Sequence, residues 1–261
     1  MRILKDYAGE MVTLDQIDGD FCRGYITYLL TEYHPKGKDI SNYTLHNYYR
    51  ALNGALNSAV RKKKMKANPF NELEKSEKIR KPESMRSYMT IEEVQALIDT
   101  PMPHEEYEIV KCAYLFSCFC GLRISDIIKL KWKDVFVDRG QYRLAVSMKK
   151  TKEPIYLPLS PEALKWMPER GDKTADDHVF DLPSGINQLI KPWAKAAGIS
   201  KRFTFHTARH TFATMMLTLG ADLYTTSKLL GHANVKTTQI YAKIVDSKKV
   251  EAVNLVDNVF G

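Results

Sequence analysis

The stretch NELEKSEKIRKPES, residues 71–84, carries almost no apolar side chains in a chain of 261 residues. A tract so polar buries too little surface to offset the entropy of ordering it, so it reads as an exposed linker. No single core can run through it. The chain must therefore fold as two units, a shorter one before the tract and a longer one after it.

The shorter unit reads as all helical. Ile17, Phe21, Tyr25, Tyr28 and Leu29 recur at helical spacing and predict a helix across 14–34, broken by HPKGKD at 34–39. Ser41 can cap the next helix, whose buried face is expected to hold Tyr43, Leu45, Tyr49, Leu52, Leu56 and Val60. That helix ends in RKKKMKANPF, with Asn68-Pro69 as its stop.

The longer unit opens near Tyr88. Thr90 followed by Glu93 is a capping box for IEEVQALI. Residues 106–120 predict an apolar helix stopped at Gly121, and ISDIIKLKW predicts another short one. The hydrophobic period then switches. VFVDRGQYRLAVSMKKTKEPIYLPL alternates in short runs around Asp138-Arg139-Gly140 and Lys150–Pro154, which predicts a small antiparallel sheet of three strands. Helices return with PEALKWM, GINQLIKPWAKAAG, HTARHTFATMMLTLG, ADLYTTSKLLG and VKTTQIYAKI. The expected fold is mainly α: a small all-helical N-terminal domain and a mixed α+β domain, mostly helical with that small sheet. Domain limits are set at 1–80 and 88–261, joined by a linker at 81–87.

Charge narrows the partners. Thirty-nine Lys and Arg face 31 Asp and Glu, a net +8. Residues 1–86 hold 16 basic against 11 acidic side chains, so the shorter unit is the more basic one. That balance favours a polyanion, nucleic acid above all. The longest mostly apolar stretch, near Ala113–Cys120, is far shorter than the roughly 20 residues that span a bilayer, so no membrane partner is expected. The first residues, MRILKDYAGEMVTLDQ, lack the apolar region of a secretory signal. Cys22, Cys112, Cys118 and Cys120 make neither a disulfide framework nor a CxxC zinc spacing. They read as reduced, buried thiols in a cytoplasmic protein. Neither a Walker A loop nor GxGxxG is present, so no nucleotide cofactor is expected.

Several groups carry chemistry. Arg61, Lys62, Lys63, Lys64 and Lys66 place five cations in six residues. A solvated helix end explains them, and so does contact with DNA phosphates. In His206-Thr-Ala-Arg209-His210 the three polar side chains share a helix face. They read as core histidines, as half of a zinc site, or as an anion site. HExxH is not matched, because Thr207 stands where the glutamate belongs, and an arginine between histidines repels a cation and attracts an anion. Arg123 follows Gly121-Leu122, with Asp126 three residues on. Lys150 lies in the predicted hairpin, and His232 precedes Tyr241 by nine residues. Taken singly, each has an ordinary structural reading. Together, two arginines, a lysine, two histidines and a tyrosine make an anion site with a nucleophile and without metal ligands.

GLRISDIIKL, HTARHTFATMMLTLGADL and LLGHANVKTTQIYAKI resemble the signature boxes of tyrosine site-specific recombinases, also called phage integrases, here of the mobile-element kind. The order Arg, Lys, His-x-x-Arg, His, Tyr is kept. The resemblance covers roughly 88–250 by motif and 1–87 by character only, as the family's helical core-binding domain.

It implies that Tyr241 attacks the scissile phosphate, forming a 3′-phosphotyrosyl link and freeing a 5′-hydroxyl. Arg123 and Arg209 would clamp the non-bridging oxygens. His232 would donate a hydrogen bond, Lys150 would protonate the leaving oxygen, and His206 would act as base or orienter. Asp126 would support Arg123, while His210 would be structural, packing beside the pair. Arg61, Lys62, Lys63, Lys64 and Lys66 would grip DNA.

The implied partner is double-stranded DNA at a specific site, held as by a clamp, with a homotetramer on DNA and neither cofactor nor metal. The apolar residues Val250, Val253, Leu255, Val256 and Val259 predict a tail helix packed on its own domain or on a neighbouring protomer. Three rivals stand beside this reading. A helix-turn-helix regulator would explain TTSKLLGHANVKTTQIYAKI but leave Arg123, Lys150 and Arg209 without a role. A type IB topoisomerase shares the chemistry without site preference. A metal nuclease needs clustered carboxylates, which the sequence does not offer.

Overall fold

A computed structural model describes residues 2–82, 86–147 and 154–242. The chain divides into two units at the boundary between residues 85 and 86.

The first unit is built on α1 (Arg2–Ala8), α2 (Gly19–Thr31) and α3 (Asn42–Arg61). The helix expected across 14–34 is shorter. Leu14–Gln16 forms a separate 3-10 turn, and Asp18 starts α2 by accepting the backbone N–H of Phe21 at 2.8 Å. Ser41 caps α3 by accepting from the N–H of Thr44. Cys22, Tyr25, Ile26 and Leu29 of α2 meet Leu45, Tyr49, Leu52 and Leu56 of α3 in one core. The latter four follow the spacing of a single helical stripe. Tyr43 does not join them and is exposed. Two residues from Leu45, it points to the far side of the helix. Val60 is only half-buried. α1 was not anticipated; its Tyr7 packs within 5.5 Å of the rings of Phe21, Tyr25 and Tyr28.

The polar tract after residue 70 is not wholly a free linker. Leu73 is buried in the first unit's core and Ile79 packs against it. Glu77 takes a hydrogen bond from Arg23 Nε at 2.9 Å. Two apolar side chains and one ion pair suffice to lay a charged segment on the unit, which composition averaged over the tract does not reveal.

The second unit runs α4 (Ile91–Asp99), α5 (Glu108–Cys120), α6 (Ile124–Ile127), β1 (Val135–Asp138), β2 (Gln141–Ser147), β3 (Pro154–Pro158), α7 (Pro161–Lys165), α8 (Ile186–Ala196), α9 (Phe205–Thr218), α10 (Leu223–Leu229) and α11 (Gln239–Ala242). The three strands form an antiparallel sheet in the order β1-β2-β3. Asp138 pairs with Gln141, so Arg139-Gly140 is a two-residue turn, and both residues have positive φ, 50° and 76°. That is the turn whose twist suits adjacent antiparallel strands. The chain is thus mainly α with one small sheet.

Two helices are shorter than their sequences predict. In ISDIIKLKW only Ile124–Ile127 is α-helical; Trp132 falls in a 3-10 turn and Lys131 pairs with His178. In VKTTQIYAKI a 3-10 turn at Val235–Thr237 precedes α11, and Lys243 and Ile244 lie outside the described residues. The apolar tail, Val250 to Val259, lies outside them too.

α5 is apolar on nearly all sides because it is the central element of the core, packed on α7, α8 and α9. Tyr114 stacks on Phe203 at 4.6 Å, meets Trp193 edge-on, and shares a 2.9 Å hydrogen bond with Thr207. This contact fixes the first turn of α9 against α5. Asn187 Oδ1 accepts the N–H of Phe205 at 2.9 Å, and the N–H of Met89 donates to Thr211 Oγ1 at 2.9 Å. α9 is therefore held through its first two turns before its polar face is considered. Among the described residues, no helix is long and apolar enough to cross a membrane.

Candidate active site

α5 ends at Gly121, which turns left-handed at φ +74°. The backbone then delivers Arg123 to the N-cap of α6, where its guanidinium lies 3.9 Å from Asp126 Oδ2. The pair occurs on one turn, as the sequence spacing anticipates.

Arg209 projects from α9 and is 4% exposed. Its Nη1 donates to the carbonyl of Gly121 at 2.7 Å and its Nη2 to the carbonyl of Leu230 at 2.5 Å. A guanidinium is the one side chain whose planar fork can hold two such carbonyls at once. Each carbonyl lies two residues before another candidate, Arg123 or His232. Burial foremost, and then the charge of Arg123, lowers Arg209 to about 10, so it remains cationic at neutral pH.

His232 follows α10 with its Nδ1 hydrogen-bonded to Thr238 Oγ1 at 2.8 Å. Burial, then Arg209 and Arg123, bring it down to about 4. His206 and His210, one turn apart on α9, meet edge-to-face with centroids 4.5 Å apart. His206 is accessible to solvent; desolvation of its ring, then Arg86, Arg209 and Arg123, lowers its pKa. His210 is 6% exposed and its Nδ1 lies 2.5 Å from the phenol oxygen of Tyr241.

Tyr241, on α11, is 3% exposed among Phe212, Ala213, Leu217 and Leu230. Burial raises its pKa, while Arg209, Arg86 and Arg123 pull it down. The site thus joins one phenol, histidines held neutral and arginines whose charges oppose one another.

Arg123, Asp126, His206, Arg209, His210, His232 and Tyr241 share this neighbourhood. Lys150 lies outside the described residues. Arg61, Lys62, Lys63, Lys64 and Lys66 belong to the first unit, all exposed. There Lys63 is left-handed at φ 56°, and the N–H groups of Lys63 and Lys64 return to the carbonyls of Val60 and Ala59. This closes α3 with a Schellman motif. Beyond it, buried Asn68 donates to Asn53 and Asn57 at 2.7 Å each, so the cations stand on a fixed turn.

Sequence reasoning missed two features. Arg86 joins the electrostatic neighbourhood because Ser87 donates to the carbonyl of Arg202 and Met89 is tied to α9. No local pattern signals that. His210 was expected to be structural, yet it bonds the tyrosine. The i, i+4 spacing from His206 placed it on the same face, and only the return of α11 could reveal its partner.

The phage integrase family model matches residues 87–248, and the phage integrase SAM-like domain matches residues 1–89. A tyrosine recombinase of Pseudothermotoga lettingae is 29% identical over 97% of this chain and 97% of its own. Tyrosine recombinase XerA of Pyrococcus furiosus is 31% identical over 72% of this chain and 70% of its own. Among solved structures, the Tn1549 transposon integrase in complex with circular intermediate DNA superposes with a TM-score of 0.71 at 18% identity, covering 92% of this chain and 85% of that one. The XerH site-specific recombinase bound to palindromic difH substrate gives 0.68 at 18% identity, covering 97% and 76%. These likenesses extend over both units, and the chain belongs to the phage integrase family as a tyrosine recombinase, an enzyme of DNA strand breakage and rejoining.

Proposed function

We propose that this chain is a site-specific recombinase that cuts and rejoins double-stranded DNA through a 3′-phosphotyrosyl intermediate on Tyr241. The observation that carries the reading is the buried phenol of Tyr241, hydrogen-bonded to His210 and within electrostatic reach of Arg123 and Arg209. Arginines able to neutralise a pentavalent phosphate thus act on a group able to attack it.

Tyr241 Oη attacks phosphorus in line with the 5′-oxygen. Arg123 and Arg209 receive the non-bridging oxygens, and His232, its Nδ1 engaged by Thr238, offers Nε2–H to one of them. Lys150 protonates the departing 5′-oxygen, and His206 orients the phosphate or assists as base. Asp126 holds Arg123 in place. The phosphotyrosyl bond conserves the energy of the broken linkage, so a 5′-hydroxyl from a second strand reverses the step and completes exchange. The chain's own cations supply the charge neutralisation.

Residues 1–80 act as the core-binding domain, gripping DNA phosphates with Arg61, Lys62, Lys63, Lys64 and Lys66. Residues 81–87 link it to the catalytic domain, 88–261. Concerted cutting of two duplexes calls for a homotetramer on DNA. The four free thiols fit work in the cytoplasm.

The test is covalent trapping. A duplex is selected from a randomised pool by binding to the full chain, then nicked beside the cleavage position so that the short product diffuses away. Wild type accumulates an SDS-resistant adduct, whereas Tyr241→Phe binds the duplex with unchanged affinity and forms none. An adduct that persists in Tyr241→Phe removes Tyr241 as nucleophile.

A further inference from the structure

The recombinase reading leaves His210 without a step of its own, although it is the histidine that touches the nucleophile. His210 Nδ1 and Tyr241 Oη form a buried hydrogen bond of 2.5 Å, and the two rings stand 5.5 Å apart at 49°. His206, the neighbour one turn earlier, contacts the ring of His210. In the tautomer that carries its proton on Nε2, the phenol O–H donates and Nδ1 accepts. In that tautomer the proton that must leave Tyr241 lies on the line to His210.

Resting on the recombinase reading, we infer that His210 is the catalytic base of Tyr241: it accepts the phenol proton as the nucleophile attacks, and His206 serves the phosphate instead. The Oη–H bond breaks and its proton passes to His210 Nδ1 as the Oη–P bond forms. The P–O5′ bond breaks, and O5′ takes its proton from the acid assigned to Lys150. In the return step the incoming 5′-hydroxyl gives its proton to that amine and attacks phosphorus. Tyr241 leaves and recovers its proton from the His210 imidazolium.

The surroundings make this base dependent on substrate. The charged and titratable groups facing His210 are His206 and Arg209 on its own helix, Arg86 from the segment laid on α9, His232 after α10, and Tyr241 on α11. Burial first, and then this cationic company, lowers His210 to about 3. Without DNA it is a feeble base and Tyr241 keeps its proton. A phosphodiester seated between Arg123 and Arg209 brings a negative charge that offsets the cations, and the basicity of His210 rises when the nucleophile is needed.

The experiment compares single-turnover adduct formation by the full chain on the selected nicked duplex across pH 6–9. His210→Asn keeps an acceptor near Nδ1 but cannot take a proton. The rate is expected to fall about 10²-fold at pH 7. It should then rise about tenfold per pH unit where wild type is level, because the phenol must ionise unaided, with DNA affinity kept within about twofold. His206→Asn should lose rate without acquiring that slope. A wild-type rate or a level profile in His210→Asn overturns the inference, as does the slope appearing in His206→Asn alone.

The two failures are separable. Adduct that depends on Tyr241 but not on His210 removes only the base, whereas adduct persisting in Tyr241→Phe removes the recombinase assignment of Tyr241 as well. Nitrogen-15 NMR of histidine-labelled protein requires no folding of a His210 variant. Nδ1 of His210 should carry the signature of a hydrogen-bonded acceptor in wild type and lose it in Tyr241→Phe. Identical His210 signals in the two proteins overturn the inference.

Discussion

Gly121→Ala should damage both stability and chemistry, because one small residue serves three purposes. Its φ of +74° lies in the left-handed region that side chains resist, at a cost of roughly 1–2 kcal/mol. A Cβ there would stand 2.5 Å from Phe212 Cδ1 and 2.8 Å from Cε1. Phe212 is itself buried, in the cluster that surrounds Tyr241, so its ring cannot swing away freely. Overpacking of this kind costs roughly 1–3 kcal/mol. Allowing for relaxation that relieves both strains together, the total is about 2–4 kcal/mol. For a unit of this size that corresponds to a fall of roughly 5–15 °C in Tm.

The control is Gly140→Ala, at φ +76° with nothing within 4 Å of the added Cβ, which carries the backbone cost alone. Calorimetry of both variants separates strain from clash. Adduct formation measured well below Tm should fall in Gly121→Ala only, since the carbonyl that anchors Arg209 belongs to that residue. If Gly121→Ala melts no lower than Gly140→Ala, the packing of Phe212 on the end of α5 is not what the argument requires.

Three further outcomes are expected. Arg209→Lys should form adduct about 10²–10³-fold more slowly, because an ammonium cannot span the carbonyls of Gly121 and Leu230 while facing phosphate; activity within tenfold of wild type in trapping assays would exclude the two-carbonyl anchor as essential. Replacing Arg61, Lys62, Lys63 and Lys64 by Ala should reduce the slope of log K against log salt by roughly 0.9 for each DNA phosphate that is no longer neutralised, with cleavage of fully bound DNA preserved; identical slopes would take the tract out of the DNA interface. The catalytic unit should lose stability on acidification: His210 and His232 are held at about 3 and about 4, below the ordinary value near 6.5, so the unfolded chain binds protons that the folded one refuses. That stability is complete above pH 6.5 and drains as pH falls towards 4, by roughly 2 kcal/mol at pH 5 for buried His210; equal urea midpoints at pH 7.5 and pH 5 would contradict it.

The elements most legible in the sequence were those fixed by local rules. Thr90 and Glu93 form the capping box their spacing announces, with the N–H of Thr90 donating to Glu93 Oε2 at 2.7 Å. The switch from helical to alternating period located the sheet, and Arg139-Gly140 supplied its turn. What the sequence hid was decided by tertiary return. Tyr43 satisfied apolar composition but not the phase of its helix. Leu73 and Ile79 were invisible within a charged tract because two side chains among many cannot shift an average. The site followed the same division: Arg123 and Asp126 are neighbours on one turn and were readable as a pair, whereas the partners of His210 and Arg209 lie 31, 88 and 21 residues away.

Those long separations explain how boxes so distant in sequence act as one site. Arg209 grips the carbonyl two residues before Arg123 and the carbonyl two residues before His232. Both backbones are therefore referenced to a single rigid guanidinium instead of to each other. A buried cation is costly unless its donors are satisfied, and the two carbonyls meet part of that demand without neutralising the charge. The charge that remains, lowered to about 10 but not extinguished, sits beside Arg123 and the Tyr241 phenol. In the proposed mechanism, structural anchor and anion receptor are the same group using different N–H bonds. On that reading the fold holds its site assembled before DNA arrives, and the repulsion among its cations is relieved when a phosphate enters.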